Sequence, residues 1–387
     1  MKLMEAYFDH SATTRVLDSV AEVMVKVMKE DYGNPSARHQ KGVQAAHYIK
    51  EAREIIARTL RVQEKELVFT SGGTESNNLA LIGAAMANQR AGKHIVSTRI
   101  EHASVAQPLA FLESQGFSVT YLPVDGDGHI SLEELQKAVR PDTILVSVMY
   151  VNNEIGAVEP VEEIGRIVHE QNPSVLFHVD AIQAYGKYEI RPKKQKIDLL
   201  SASGHKFNGP KGVGFLYISE EAKVKPVIYG GGQQKDMRSG TENVPGIAGL
   251  GAAAKEAYTD LAQKRERLTE LKDYLTDRLL ELDEVVLNSK KGEAGAPHIV
   301  SVSVGGVRSE VLLHALEEKG IYVSSGSACS SNHPAVSGTL QAVGVKKELL
   351  DSTVRFSLGT ENTKEQIDYA IAVMKELLPV LRRYRRR

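Results

Sequence analysis

The sequence predicts an α/β protein: a large domain with a mostly parallel seven-stranded sheet between helices, followed by a smaller α/β domain. Three observations carry this. Short β-rich runs alternate with helical patterns from about residue 66 onward, which is how a chain builds a parallel sheet covered on both faces. A stretch from Ile247 to about Leu282 then reads as long helix with charged faces and serves as a connector. A second, shorter strand–helix series follows it, and 387 residues suffice for two cores.

The elements come in order. "ELVFT" leads into "TESNNLALIGAAMA", "KHIVSTR" into "SVAQPLAFLESQG", and "SVTYLPV" into "SLEELQKAV". "TILVSVMYV", "VEEIGRIVHEQ", "VLFHVDA", "IDLLSAS" and "GVGFLYI" continue the series. Beyond the connector, "HIVSVSV", "SEVLLHALEEKG", "IYVSS", "TVRFSLG" and the helix "TKEQIDYAIAVMKELLPVLRR" form the smaller unit. The domain limits expected are residues 16–255 for the large domain, and 1–15 with 256–387 for the small one.

Composition removes several classes of function. A hydrophobic content of 42% and no apolar run of bilayer length give no expectation of a membrane protein. "MKLMEAYFDHSATT" lacks the apolar core of a secretory signal, and one cysteine permits no internal disulfide, so a cytoplasmic location is expected. A single thiol also excludes metal or iron–sulfur sites built on several thiolates, and no metal is expected. The net charge of −1 argues against direct nucleic acid binding. The end "LRRYRRR" is a local exception; it reads as a helix terminus whose cations suit the dipole, or as a docking tail for an acidic partner or an RNA.

Glycine-rich stretches sort by context. "DGDGH" at Asp125 lacks the later ligands of a calcium loop and reads as a turn. "GPKGVG" and "YGGGQQ" fit neither a Walker loop nor a dinucleotide fingerprint. "FTSGGTESNN" is different: Gly72 and Gly73 end a strand and Thr74 opens a helix, whose free amides can cradle a phosphate. "HVDAIQA" ends another strand with Asp180, and 26 residues on "SASGHKFNGPKG" supplies Ser203, His205 and Lys206. An amine, an acid and a phosphate cradle at strand ends are what pyridoxal phosphate requires: a Schiff base, a partner for the ring nitrogen, and an anchor. Cys329 lies in "GSACSS", where a β-rich run gives way to small polar residues. It is either a small buried hydrophobe or an accessible nucleophile on a loop.

"FTSGGTESNN", "EHASV", "VNNEIG", "HVDAIQ", "SGHKFNGPKGVG", "RSGTENVP", "GSACSS" and "VRFSLG" stand in the same order as in the cysteine desulfurases, and the chain resembles that NifS/IscS-like family from "FDHSATT" to the last helix. The family falls in the class V branch of fold type I pyridoxal phosphate enzymes. The resemblance implies that Lys206 holds the cofactor covalently, Asp180 pairs with the ring nitrogen and Gln183 bonds the ring hydroxyl. It implies that His102 stacks on the ring and shuttles protons, that Gly73, Thr74, Ser203 and His205 serve the phosphate, and that Thr241 reaches the phosphate site of the partner in a homodimer. Asn153 and Arg355 would bind the carboxylate of L-cysteine, with Asn153 also touching the cofactor, and Cys329 would take the sulfur as a persulfide. A sulfur-acceptor protein, serving iron–sulfur cluster assembly or tRNA and cofactor thiolation, is the implied partner. A selenocysteine or other sulfur amino acid lyase and a silent scaffold are the alternatives.

From the residues alone, His102 and Ser104 are also consistent with a helix start, and Asn153 with a turn. An arginine in the apolar run "TVRFSLG" calls for an anion or a carboxylate partner. The segment after Cys329 keeps the long spacing to Arg355 of the long-loop group but carries His333 and Pro334, which depart from that group's pattern.

Overall fold

The structure is a computed structural model that describes residues 4–325 and 337–384. Cys329, His333 and Pro334 lie outside the described residues. The chain runs through β1 (Ala6–Tyr7), α1 (Asp18–Lys29), α2 (Gln40–Leu60), β2 (Leu67–Thr70), α3 (Gly73–Asn88), β3 (His94–Thr98), α4 (Ala103–Ser114) and β4 (Ser118–Leu122). It continues with α5 (Leu132–Ala138), β5 (Thr143–Met149), α6 (Val161–Gln171), β6 (Leu176–Asp180), β7 (Leu199–Ser203), β8 (Gly214–Ile218), α7 (Val244–Tyr258) and α8 (Leu261–Leu280). The remaining elements are β9 (Val285–Leu287), β10 (Ile299–Val304), α9 (Ser309–Glu317), β11 (Ile321–Tyr322), β12 (Ser324–Ser325), α10 (Gly338–Ala342), β13 (Thr353–Ser357) and α11 (Lys364–Leu381).

Seven strands form the large sheet in the order β2-β8-β7-β6-β5-β3-β4. Only β8 is antiparallel to its neighbours; the others run one way. Successive side chains face opposite sides of the sheet, so each strand feeds two cores. Phe69, Val96, Val146, Phe177, Leu200 and Phe215 join α2, α6 and α7 in one. Val68, Ile95, Leu145, Leu176, Leu199 and Leu216 join α3 and α4 in the other. This double burial is why the strands read as apolar runs. It also brings the carboxyl ends of β2, β3, β5, β6 and β7 to one edge, where loops are free to carry chemistry.

The stretch expected as one long connector is two helices. α7 ends at Tyr258, and Asp260 takes φ 52°, a left-handed conformation that an aspartate tolerates. α8 is more than a bridge. Leu268, Leu271, Leu275 and Leu279 recur at helical spacing and pack with β10, β13, α9 and α11 in a separate core that also takes in Ala6 and Phe8. The four-stranded sheet there, β12-β13-β10-β9, is antiparallel, and β1 pairs with β11. "DGDGH" is a turn, as expected: Asp125 Oδ1 accepts from the Asp127 and His129 N–H groups at 2.9 Å each. Within the C-terminal arginine cluster, Arg382 donates to the Gly305 carbonyl at 3.1 Å and to that of Asp283 at 2.5 Å. No helix among the described residues is long and apolar enough to cross a membrane.

Candidate active site

A cavity of about 440 Å³ opens at the carboxyl edge of the sheet. Gly73, Thr74, His102, Asn153 and Asp180 line it from four strand ends. Gln183, Ser203, His205, Lys206 and Arg355 complete its wall. Ten of the residues singled out from the sequence thus meet in one place, although they are spread over more than 280 positions.

One end is an anion cradle. Gly72 caps α3 with φ 146°, a value suited to glycine, and has no side chain to occupy the first-turn amides. A Cβ on Gly73 would lie 2.3 Å from Ile182 Cδ1, so the helix start packs directly on the turn after Asp180. His205 stands across from these amides; burial first, then the nearby Lys206 and Lys211, pull its imidazole down to about 4, which leaves it neutral at pH 7. Glu75 would oppose an anion here, but Arg238 clamps it with bonds of 2.8 and 3.1 Å. Arg238 opens the stretch "RSGTENVP", where nothing local marks it as a partner of Glu75.

The middle is built on Asp180. Its Oδ1 accepts from the Ile182 N–H at 3.0 Å and its Oδ2 from Asn77 Nδ2 at 2.8 Å. Burial pushes the carboxyl up, against the Ile182 N–H, His102, Asn77 and Lys206. A cation beside it would restore its charge. Asn77 also donates to Ser104 Oγ at 2.8 Å, which in turn lies 2.8 Å from His102 Nδ1. One asparagine therefore ties the acid to the histidine, a link that the sequence offered only as the first Asn of "SNN". His102 itself, and not Ser104, caps α4: its Nδ1 accepts from the Ser104 N–H at 3.1 Å. The capping and cavity-lining readings of this histidine hold together.

Lys206 sits on a single 3₁₀ turn, Gly204–Lys206, directly after β7. Its Nζ donates to the Ala12 carbonyl at 3.0 Å and to that of Ser11. Lys187 Nζ holds the Lys206 carbonyl from behind at 3.0 Å. The two asparagines of "VNNEIG" divide their duties. Asn152 makes the turn, accepting from the Glu154 and Ile155 N–H groups at 2.9 Å each, while Asn153 lines the cavity. Arg355 Nη1 donates to the Asn153 carbonyl at 2.7 Å and Nη2 to Asp9 Oδ1 at 2.9 Å; its Nε is buried with no partner among the described residues. The carboxylate partner that the sequence demanded is Asp9, from "FDHSATT". Thr241 is exposed and does not line this cavity.

A model described as "Aminotransferase class-V" matches residues 6–370. A cysteine desulfurase IscS of Methanosarcina thermophila is 46% identical over 376 residues, 97% of this chain and 92% of its own length. The chain belongs to the cysteine desulfurases of the class-V aminotransferase family.

Solved structures agree with the assignment. A "NIFS-LIKE PROTEIN" superposes on the chain with TM-score 0.93 at 39% identity, covering 98% of this chain and all of the other. A structure described as "SspA in complex with cysteine" does so with TM-score 0.81 at 35% identity, covering 92% and 100%. The family is pyridoxal phosphate-dependent. The cavity of this desulfurase fits that cofactor: an uncapped glycine-led helix start for the phosphate, a buried acid for the ring nitrogen, and an amine at a strand end. Among the described residues no group of three or more His, Cys, Asp and Glu could hold a metal ion.

Proposed function

We propose that this cysteine desulfurase converts L-cysteine to L-alanine in the cavity above, with Lys206, His102 and Cys329 as its catalytic residues. The convergence of Lys206, Asp180 and the α3 amides in one cavity carries this reading. When bound, pyridoxal phosphate supplies the electron sink that makes the substrate's α-carbon acidic. Lys206 holds it through Nζ, Asp180 keeps the ring nitrogen protonated, Gln183 faces the ring hydroxyl, and Thr74, Ser203 and His205 with the first amides of α3 hold the phosphate.

Arg355 and Asn153 bind the substrate carboxylate. Ser104 occupies His102 Nδ1, which supports a reading in which Nε2 moves the proton. The Cys329 thiolate forms an S–S bond to the substrate sulfur as the substrate C–S bond breaks. The electron pair stays on carbon, which takes a proton and leaves as alanine, and Cys329 carries the sulfur as a persulfide. With no second cysteine in the chain, that sulfur passes directly to an acceptor protein. Clusters or thiolated tRNA are its proposed destinations.

The proposed unit is a cytoplasmic homodimer in which Thr241 completes the phosphate site of the partner subunit. The exposure of Thr241 away from its own cavity supports this. The division at residues 16–255 is supported by the separate core formed by Ala6, Phe8 and the residues beyond Leu268. The test is release of alanine from cysteine together with mass spectrometry of Cys329. Wild-type protein that is yellow, releases alanine and gains 32 mass units (the sulfur atom) upholds the reading; absence of alanine release overturns it.

A further inference from the structure

Behind the cavity wall lies a histidine that nothing in the sequence signalled. His298 is fully buried just before β10, in the smaller unit, and its backbone carbonyl accepts from the Leu358 N–H at 2.8 Å. Its Nε2 lies 3.3 Å from Gln183 Oε1. Gln183 Nε2 in turn lies 3.0 Å from the Ser11 carbonyl oxygen, the same oxygen to which Lys206 Nζ donates.

These contacts fix each other's chemistry. A carbonyl oxygen only accepts, so the end of Gln183 that faces Ser11 is the NH2 group. The end that faces His298 is then the amide oxygen, and His298 Nε2 bears the hydrogen that it accepts. Nδ1 of the same ring is buried with no partner among the described residues. Burial, then Lys187, Lys272, Arg355 and His10 around it, drive the imidazole far below its ordinary range, so it is neutral throughout the working pH range. A neutral ring with hydrogen on Nε2 has one thing to offer here, a donor for Gln183.

We propose that His298 is a positioning residue that, together with the Ser11 carbonyl, locks the polarity of Gln183. By engaging the amide oxygen inside the wall, it leaves the second N–H of Gln183 as the group offered to the ring oxygen of the cofactor. Without His298 the Ser11 carbonyl alone holds that polarity, and the amide turns over more readily to present its own oxygen to that oxygen, two acceptors face to face. This rests on the functional reading above, in which Gln183 meets the ring hydroxyl.

The experiment is a pH titration of the visible absorption of the purified holoenzyme. A donor stabilises the deprotonated ring oxygen, so losing it raises the affinity for the proton held there. In His298→Leu the midpoint moves up by about half a pH unit or more, the size of effect one modest hydrogen bond has on a neighbouring titration. His298→Asn keeps an N–H donor on a smaller side chain and restores part of the shift. In a Gln183→Ala background His298→Leu shifts nothing further, because the residue acts through Gln183.

A purely structural histidine would change the melting temperature and leave the midpoint alone. An unchanged midpoint in His298→Leu, or the same shift with and without Gln183, overturns the proposal. If His298→Leu does not fold, the comparison of His298→Asn with and without Gln183→Ala decides by the same criterion: coupling upholds it and additivity refutes it. A colourless wild-type protein would instead sink the functional reading, which keeps the two failures apart.

Discussion

Removing the Arg355 guanidinium is the most informative single perturbation of substrate binding. Nη1 gives one N–H to the Asn153 carbonyl and Nη2 gives one to Asp9, so two of the five N–H groups are spent on the protein. Among the described residues three remain without a partner, including the buried Nε–H. Those three are enough for a two-pronged grip on a carboxylate, and the two bonds already made hold the plane of the fork. A hydrogen bond between charged groups contributes about 1.5–3 kcal/mol, so losing one raises KM for cysteine by about 10- to 150-fold.

Arg355→Ala also leaves Asp9 largely buried beside a hole, and breaking such a pair costs about 3–5 kcal/mol of stability. Arg355→Lys separates the two effects. It keeps a charge for Asp9 and so most of the stability, but a single ammonium cannot reproduce the fork, and KM stays raised by about tenfold or more. The assay is initial rates of alanine release against cysteine concentration, with melting temperatures alongside. A KM for Arg355→Lys within threefold of wild type would refute the assignment of Arg355 to the substrate.

Three further outcomes are expected. Lys206→Ala yields protein without the covalently held yellow chromophore, read by borohydride reduction and mass analysis; a coenzyme still trapped on the chain would place the anchor elsewhere. Cys329→Ala keeps the colour but loses alanine release by at least about 10³-fold, the scale on which a covalent nucleophile matters; unchanged release, measured with the chromatographic assay, would remove Cys329 from the reaction. Lys272 is 1% exposed and donates to the Ala296 carbonyl at 2.9 Å, and burial lowers its amine from 10.5 to about 8. The unfolded chain therefore binds more protons between those values, and stability rises with pH through that window by about 3 kcal/mol in total. Lys272→Met deletes that rise in urea unfolding curves at pH 7.5 and 10.5; an undiminished rise would show that Lys272 does not titrate there.

Legibility in the sequence followed the range of the interaction. The inner strands of the large sheet were readable because burial on both faces makes them rich in apolar residues, and the glycines of "FTSGG" because a left-handed backbone and a close approach to Ile182 leave little alternative. Lys206, Asp180 and Gly73 stand at strand ends, so knowing the strands nearly locates them. The break between α7 and α8 was hidden, since Asp260 in a charged helical run carries no proline or glycine to mark it. Most hidden of all were the residues that act through another residue. Asp9 clamps Arg355 across 346 positions, His298 meets Gln183 across 115, and Asn77 reaches Asp180 across 103. Each is an unremarkable polar residue in its own neighbourhood, and its value arises only when a second core docks against the edge of the sheet or a helix start packs on a turn. Local pattern thus locates the groups that do the chemistry, whereas the groups that hold them ready are specified by tertiary packing, and Asp9 and His298 are where changes to the smaller unit should first disturb the site.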